Sequence, residues 1–239
     1  MGREYLSIAD MMSGLMMVFL FIAVVFMLDI EASKSELEQQ KYLIEQQKNA
    51  MSKIAEMAEN SRLLLNQKLL QEFKLDLINW NATILPDNTI RFNSPKILFK
   101  VGKSTLRIKF KTILKDFFPR YINILQNYKQ NIEAVRIEGH TSSDWQGAKD
   151  ITTRYLKNVK LSQQRALATL EYCYLIPKLS IIQQKWLRKV FRANGLSFAK
   201  LILTEQQEDI AKSRRVEFKV ITKAEEKLYQ ILKQSRSSL

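Results

Sequence analysis

Residues Met11–Leu28 read MMSGLMMVFLFIAVVFML, a run of eighteen residues without a charged side chain. With Leu6–Ala9 in front of it, the apolar stretch is long enough to cross a hydrocarbon core about 30 Å thick. A cleaved signal peptide would need a basic start, a shorter apolar core and small residues at its end, whereas Phe26, Met27 and Leu28 keep this stretch bulky throughout. We therefore predict an uncleaved transmembrane helix over residues 6–28.

Charge is distributed unevenly along the chain on the two sides of this predicted helix. The 239-residue chain has a net charge of +14, of which residues 1–30 contribute −2 and residues 31–80 contribute −1. The remaining 30 basic and 13 acidic residues give residues 81–239 a net charge of +17. Because Arg3 and the α-amino group are the cations that precede the helix, the positive-inside rule predicts that residues 1–5 are cytoplasmic and that the rest lies across the membrane. A basic domain there fits an anionic partner, with nucleic acid, an anionic membrane surface and acidic wall polymers as candidates.

The composition excludes several classes of protein. A hydrophobic content of 46% excludes a wholly disordered chain. One cysteine excludes an internal disulfide framework and a cysteine-based zinc cluster, and one histidine excludes a three-histidine metal site within one chain. We predict no metal, no cofactor and no enzymatic activity.

Asp10 is the acidic residue nearest to the apolar run, about one helical turn inside the predicted span. Ionised carboxylates are costly in lipid, so acidic residues within a membrane usually mark ion or proton pathways. Ser13 and Gly14 follow at i+3 and i+4, on the same helix face as Asp10. This small, polar face favours contact with other helices. The alternative is a shallow aspartate that reaches the lipid headgroups.

Residues 29–80 are predicted to form a helical stalk. From residue 31 to residue 80 the sequence contains neither proline nor glycine and is rich in helix-forming residues. Apolar or small residues recur with heptad spacing at Ile30, Leu37, Ile44, Met51, Ala58 and Leu65. A second, more polar seam follows at Ser33, Gln40, Gln47, Ile54 and Ser61. The pattern indicates a weak parallel coiled coil, most simply a dimer, with a solvated spacer helix as the alternative.

Residues 81–222 are predicted to form an α/β sandwich, because strand patterns and helix patterns follow each other along the chain. The predicted strands are Ala82–Phe92 with a turn at Pro86–Asn88, Ala134–Glu138, Arg192–Gly195, and a strand through Val216, Phe218 and Val220. The predicted helices are Ser104–Tyr128, with Pro119 making its middle uncertain, Ser162–Tyr174 and Ile181–Val190. Residues 223–239 are predicted to be a C-terminal tail that is helical over Glu225–Gln234.

Three polar motifs lie within this domain. Glu138–Asp144 follows a predicted strand end, where loops often bind ligands. In Asn158–Ala166, we expect Ser162 to be a helix N-cap, which would place Arg165 in the first turn. There its guanidinium and nearby free N–H groups would hold a carboxylate, although a surface or ion-paired arginine is an equal alternative. Ser213–Glu217 places two arginines at a strand start.

In order, these motifs resemble the signatures of OmpA-like peptidoglycan-binding domains over roughly residues 82–222. The resemblance implies that the domain binds the free carboxylate of diaminopimelate in the wall peptide. The implied binding residues are Thr141, Ser142, Asp144, Asn158, Leu161, Arg165 and Arg214, with Arg165 contacting the carboxylate. The sequence departs from the family at Ser142, where an aspartate is usual, and Asp144 is the expected substitute.

The segment Ser7–Met17 resembles the B subunits of ion-driven stators, a family with MotB-like flagellar members and ZorB-like members of Zorya anti-phage systems. The resemblance implies that Asp10 carries the transported ion, H⁺ or Na⁺, and that Ser13 supplies a nearby hydroxyl. It also implies a homodimer in the bacterial inner membrane, with its C-terminal domain in the periplasm, inside a pentamer of multi-span A subunits of the MotA/TolQ/ExbB type. We expect a Zorya-like motor rather than a flagellar one. The alternatives are a passive wall anchor and a nucleic-acid binder, and a periplasmic location argues against nucleic acid as the partner.

Overall fold

The protein is described by a computed structural model, which covers the backbone of residues 2–100 and 102–223 and the side chains of residues 11–94, 97–100 and 102–223. In chain order the elements are α1 (Gly2–Phe73), α2 (Asp76–Trp80), β1 (Ala82–Ile84), β2 (Ile90–Phe92), α3 (Pro95–Leu98), α4 (Ile108–Gln126), β3 (Ile132–Gly139), α5 (Ile151–Tyr174), α6 (Ile181–Val190), β4 (Phe191–Gly195), β5 (Leu203–Thr204), β6 (Gln207–Glu208), α7 (Ile210–Ser213) and β7 (Val216–Thr222). The chain divides into two compact units, with the boundary within α1 between Lys53 and Ile54.

Helix α1 contains the predicted membrane span and the predicted stalk as far as Phe73, and the end of the predicted stalk forms the separate helix α2. Its apolar residues from Met11 to Leu28 are exposed all around the helix. A helix that is apolar on every side is stable when a membrane covers it. This helix is long and apolar enough to cross a membrane, which agrees with the predicted span.

The C-terminal end of α1 belongs to the globular domain. Leu65, Leu69 and Phe73 are buried in the domain core. Arg120 of α4 fixes this end, since its guanidinium donates to the Glu72 carboxylate at 2.7 Å and to the Asp76 carboxylate at 2.9 Å. Leu65, the last position of the predicted heptad seam, therefore contacts the domain and is not available to a partner helix.

The domain is an α/β sandwich, as predicted. Its five-stranded sheet has the order β1-β2-β7-β3-β4, with antiparallel neighbours except for the parallel pair β3 and β4. Phe117 of α4 lies at the centre of the core, with its ring centroid 5.1 Å from that of Phe218 in β7 and 5.3 Å from that of Phe73 in α1. This aromatic cluster joins the sheet, α4 and the end of α1 into one core.

Most predicted elements are confirmed, although α4 begins at Ile108 rather than at Ser104, and the largest difference is in helix α5. The residues predicted as a strand with a turn form the β1–β2 hairpin, and α4 continues through Pro119. Helix α5, however, begins at Ile151 rather than at Ser162, because the Asp150 carboxylate accepts a hydrogen bond from Thr153 N at 2.8 Å and caps the helix. The predicted helix over Glu225–Gln234 lies outside the described residues.

Two glycines allow the backbone of α5 to approach the sheet very closely. A Cβ atom on Gly139 at the end of β3 would lie 2.3 Å from Ser162 O, and one on Gly195 at the end of β4 would lie 2.3 Å from Gln163 N. The Gln163 side chain completes the contact, since its Oε1 accepts from Gly195 N at 2.7 Å. These positions require glycine because the neighbouring atoms are helix backbone, which cannot move aside.

A buried ion network joins β2, β3 and β7. Glu217 of β7 pairs across the sheet with Arg91 of β2 on one side and with Glu138 of β3 on the other. Two buried carboxylates opposite each other would repel, but Glu217 Oε1 accepts from Arg91 Nε and from Arg215 Nε, both at 2.7 Å. His140 Nε2 lies 3.4 Å from Glu217 Oε2 and 3.9 Å from Glu138 Oε2. Burial alone would raise the pKa of the Glu217 carboxyl, but its contacts with His140 and Arg215 hold that pKa well below its usual range, whereas burial lowers the pKa of His140.

Replacing Gly139 or Gly195 by alanine should destabilise the domain by about 3 kcal/mol or more, because the new methyl group would overlap helix backbone. Gly14→Ala is the matched control, since nothing lies within 4 Å of a Cβ atom there. Denaturant unfolding of the purified chain measures the difference. Equal stability of all three variants would contradict the close packing of α5 on the sheet.

The buried His140 should make the domain less stable in mild acid. Below the ordinary histidine pKa of 6.5 the unfolded chain takes up a proton that the folded chain resists, so the free energy of unfolding should fall by up to about 1.4 kcal/mol per pH unit. Thermal melts between pH 7 and pH 5 measure this slope. His140→Gln should flatten it, and an unchanged slope in that variant would assign the pH dependence to other groups.

Candidate functional site

Helix α5 turns a polar face towards the sheet. Asn158, Leu161 and Arg165 are spaced three and four residues apart, so they lie on one side of the helix. Asn158 is 2% exposed, and Leu161 and Arg165 are each 8% exposed. The contact at Gly139 and Gly195 sets the distance between this face and the strand ends, and therefore positions all three side chains.

Arg165 is a buried cation whose polar contact is a backbone carbonyl. Its Nε donates to Lys103 O at 3.1 Å, and its guanidinium carbon lies 4.9 Å from the ring centroid of Phe99. Burial and the nearby guanidinium of Arg214 lower the pKa of Arg165 to about 10, so it is still charged at neutral pH. Among the described residues, no carboxylate lies within salt-bridge distance of Arg165. A buried charge without a counterion favours the binding of an anion.

The loop after β3 lies close to a second arginine. Thr141 and Ser142 are almost fully buried, and Thr141 N donates to Ser197 O at 2.9 Å. Arg214 Nε donates to Ser142 Oγ at 2.8 Å, and another nitrogen of the same guanidinium lies 3.7 Å from Asp144 Oδ2. The Thr141 Oγ1 atom is buried and has no hydrogen-bond partner among the described residues.

The sheet edge and α5 therefore bring most of the predicted binding residues together. We call this group the arginine cluster, and it comprises Ser142, Asp144, Asn158, Arg165 and Arg214. Asn158 Nδ2 points to Asp144 O at 3.5 Å, which links the loop to α5. The cluster contains two guanidinium groups and one carboxylate, so it has an excess positive charge. Its chemistry suits a carboxylate ligand, with Asp144 as an acceptor for a neighbouring ammonium group.

The predicted N-cap role of Ser162 is wrong. Ser162 lies in the middle of α5, where its Oγ donates to Val159 O at 2.9 Å and accepts from Ser197 N at 3.0 Å. Arg165 is consequently far from the N-terminus of the helix, and no free helix N–H groups lie beside it. The second positive group near Arg165 is the Arg214 side chain, not the helix end.

Three groups that support the cluster were not predicted from the sequence. The ring of Phe99 and the carbonyl of Lys103 hold Arg165, and the Glu208 carboxylate accepts from Ser143 N at 3.0 Å. Phe99 lies within the region that resembles OmpA-like domains. Its aromatic side chain could therefore have been identified from the sequence as a candidate site residue. A supporting backbone carbonyl has no signature in the sequence.

One further cluster has the spacing of metal ligands. Single ligand atoms of Glu138, His140 and Glu217 lie within 4.8 Å of one another, and all three residues are buried. The carboxylate of Glu217 is already bound by Arg91 and Arg215. These guanidinium groups supply the positive charge that a metal ion would bring, so the arrangement functions as an ion network within the sheet.

The predicted ion-carrying residues lie in the other unit. Asp10 is within α1, and its side chain lies outside the described residues. Ser13 is exposed on the same helix. Asp10 directly precedes the exposed apolar residues Met11–Leu28 of the same helix.

Residues 98–210 match the sequence profile of the OmpA family. Two solved structures are similar to the domain: the cell wall anchor of the T6SS from Pseudomonas aeruginosa and the periplasmic domain of Helicobacter pylori MotB. The first is 20% identical and covers 64% of this chain and 96% of its own, with a TM-score of 0.46. The second is 12% identical and covers 64% of this chain and 97% of its own, with a TM-score of 0.43.

A much closer similarity extends over the whole chain. The Zorya protein ZorB of Escherichia coli is 40% identical over 235 residues, which cover 98% of this chain and 94% of that protein. The similarity thus includes the apolar N-terminal helix, the stalk region and the OmpA-like domain together. A chain that shares this much sequence over all its parts belongs to the ZorB family of Zorya proteins.

Proposed function

We propose that this protein is the B subunit of a proton- or sodium-driven membrane motor of the Zorya type. Identity of 40% to a ZorB protein along nearly the full length is the observation that carries this proposal. The arrangement of a membrane helix, a helical connection and an OmpA-like domain suits a subunit that couples an event in the membrane to a fixed attachment. This role requires no catalysis by the chain itself.

Asp10 is the proposed ion carrier, with Ser13 as its nearby hydroxyl. A carboxylate that alternates between a charged and a neutralised state gives its surroundings two different preferred arrangements. The chain is proposed to act as a homodimer within a pentamer of multi-span A subunits in the bacterial inner membrane. Its N-terminus is cytoplasmic and its OmpA-like domain periplasmic in this proposal.

The proposed ligand of the arginine cluster is the free carboxylate of the peptidoglycan peptide. Arg165 supports this proposal because it is charged, buried and not paired with a carboxylate among the described residues. Asp144 takes the place of the acidic residue that Ser142 replaces, since Asp144 and Ser142 lie beside the same guanidinium, that of Arg214. Binding would fix the domain to the wall while the membrane part moves ions.

Asp10→Asn should abolish ion flux and protection against phage, because an amide keeps the size of the side chain but cannot be protonated in the same way. Insertion, protein level and assembly with the A subunit should not change. Asp29→Asn, at the other end of the apolar run, is the matched control and should remain active. The measurements are ion uptake by cells that express both subunits and the efficiency of phage plating.

A passive wall anchor should tolerate Asp10→Asn, since an amide is at least as stable as a carboxylate at the membrane. Full activity of that variant would therefore reject the motor and favour the anchor.

Arg165→Ala should weaken pull-down by purified peptidoglycan by about tenfold or more, because hydrogen bonds to a charged group contribute about 1.5–3 kcal/mol. Lys160→Ala removes the same charge from an exposed position on α5 and should bind normally. If the unaltered protein does not bind peptidoglycan, we would conclude that Ser142, in place of the usual aspartate, prevents this domain from binding the wall peptide.

A further inference from the structure

A tryptophan lies directly beside the arginine cluster, in the loop that leads into α5. Trp145 follows Asp144 in the chain, and its side chain is half-buried. Its carbonyl oxygen accepts a hydrogen bond from Ala148 N at 3.2 Å, which turns the loop at this point. Asp144 O lies 3.5 Å from Asn158 Nδ2, which ties the same loop to α5. The backbone of Trp145 is therefore held next to the cluster, with part of its indole ring in solvent.

One row of side chains on α5 connects this tryptophan to Arg165. Lys157, Leu161 and Arg165 follow each other at intervals of four residues, so they lie in one row along the helix. At one end of the row, the Arg165 guanidinium carbon is 4.9 Å from the ring centroid of Phe99. At the other end, Lys157 Nζ is 5.8 Å from the ring centroid of Trp145. The row thus has a cation against an aromatic ring at both ends.

The two ends of the row differ in exposure, and this difference indicates different roles. Phe99 is 5% exposed, so its ring supports Arg165 from within the domain. Trp145 is half-buried and Lys157 is exposed, so both can contact a molecule in solvent. A partly exposed indole ring offers a flat apolar surface, and the ammonium group beside it offers hydrogen-bond donors. This end of the row suits a ligand with an apolar face and oxygen acceptors around it.

An amino sugar is a ligand of this kind. The C–H groups on one side of a pyranose ring form an apolar face that can cover an aromatic ring. Its hydroxyl and acetamido oxygens accept hydrogen bonds from an ammonium group. In peptidoglycan, the peptide proposed to bind Arg165 is attached to a strand of such sugars.

The length of the row agrees with the length of that peptide. Lys157 and Arg165 are eight residues apart, which corresponds to about 12 Å along a helix. About three residues of extended peptide, the distance from the sugar to diaminopimelate, span roughly 10 Å. A wall peptide whose carboxylate reaches Arg165 therefore brings its sugar close to Trp145.

We propose that Trp145 and Lys157 form a saccharide subsite, in which the indole ring stacks on a sugar of the wall strand and Lys157 donates to the acetamido oxygen. This inference rests on the proposed binding of the wall peptide at the arginine cluster. It adds a second contact, which is made to the glycan rather than to the peptide. Two contacts about 12 Å apart fix the orientation of the wall strand, whereas a single carboxylate contact leaves the strand free to turn.

Calorimetric titration of the full-length protein in detergent tests this subsite with two ligands. One is the wall disaccharide with its stem peptide, and the other is the same peptide with an acetylated N-terminus, so that both have the same charge. The disaccharide should raise the affinity by about threefold to tenfold, as expected for one aromatic stacking contact. Trp145→Ala should remove this difference in affinity, and Trp145→Phe should keep most of it. Lys157→Ala, at an exposed position that does not affect folding, should reduce it.

Tyr155→Ala is the matched control. Tyr155 is also an exposed aromatic residue near the start of α5, but it lies on another side of the helix, where its ring centroid is 5.7 Å from that of Phe198. This variant should keep the full difference between the two ligands. Arg165→Ala should weaken the binding of both ligands by the same factor. Trp145→Ala should bind the acetylated peptide as the unaltered protein does, which shows that the domain is folded.

Equal affinity of the unaltered protein for the two ligands would overturn the saccharide subsite and leave the wall peptide as the ligand of Arg165. A difference that is lost in Tyr155→Ala but kept in Trp145→Ala and Lys157→Ala would also overturn it. Binding of neither ligand by the unaltered protein would overturn the proposed wall ligand together with this inference.

Discussion

The contact between the backbone of α5 and the ends of β3 and β4 is the constraint on which the rest of the site depends. At Gly139 and Gly195 there is no room for a Cβ atom, so helix and sheet meet backbone to backbone. This contact brings the inward face of α5 within hydrogen-bonding distance of the loop after β3. Ser162 and Gln163 form the contact itself, and Asn158 and Arg165 lie one turn on either side of it. The arginine cluster is thus a consequence of how closely one helix packs.

Such close packing allows the domain to bury polar groups that would otherwise be unstable. Arg165 lies against an aromatic ring and a carbonyl, and the Glu217 network neutralises two facing carboxylates with two guanidinium groups. Arg165 and the Glu217 network differ in whether their charges are already paired, and this difference bears on ligand binding. Glu217 has its counterions within the sheet, whereas Arg165 lacks one among the described residues and so remains available to an anionic ligand.

The surroundings of helix α1 differ from one part of its length to the next. It is exposed and uncharged from Met11 to Leu28, partly covered along one stripe from Gln47 to Ser61, and buried in the domain core at Leu65, Leu69 and Phe73. The end of this helix is held by the aromatic cluster around Phe117 and by Arg120. The heptad pattern in the sequence is therefore shared between the domain core and any partner helix.

The sequence by itself determined the features that depend on local pattern. The uncharged run predicted the membrane helix, and the strand and helix patterns predicted the α/β sandwich. The resemblance of Asn158–Ala166 to a family motif predicted one side of the site. The start of α5 was mispredicted because its buried face carries Asn158, Ser162, Arg165 and Thr169, while Ile151, Tyr155 and Leu156 are exposed. Apolar periodicity cannot mark a helix whose inward face is polar. Only the tertiary structure decided that Arg214 rather than a helix end lies beside Arg165, that Lys103 supplies a carbonyl, and that Leu65 belongs to the core. These contacts join residues far apart in the chain, and they are set by backbone packing that no single segment encodes.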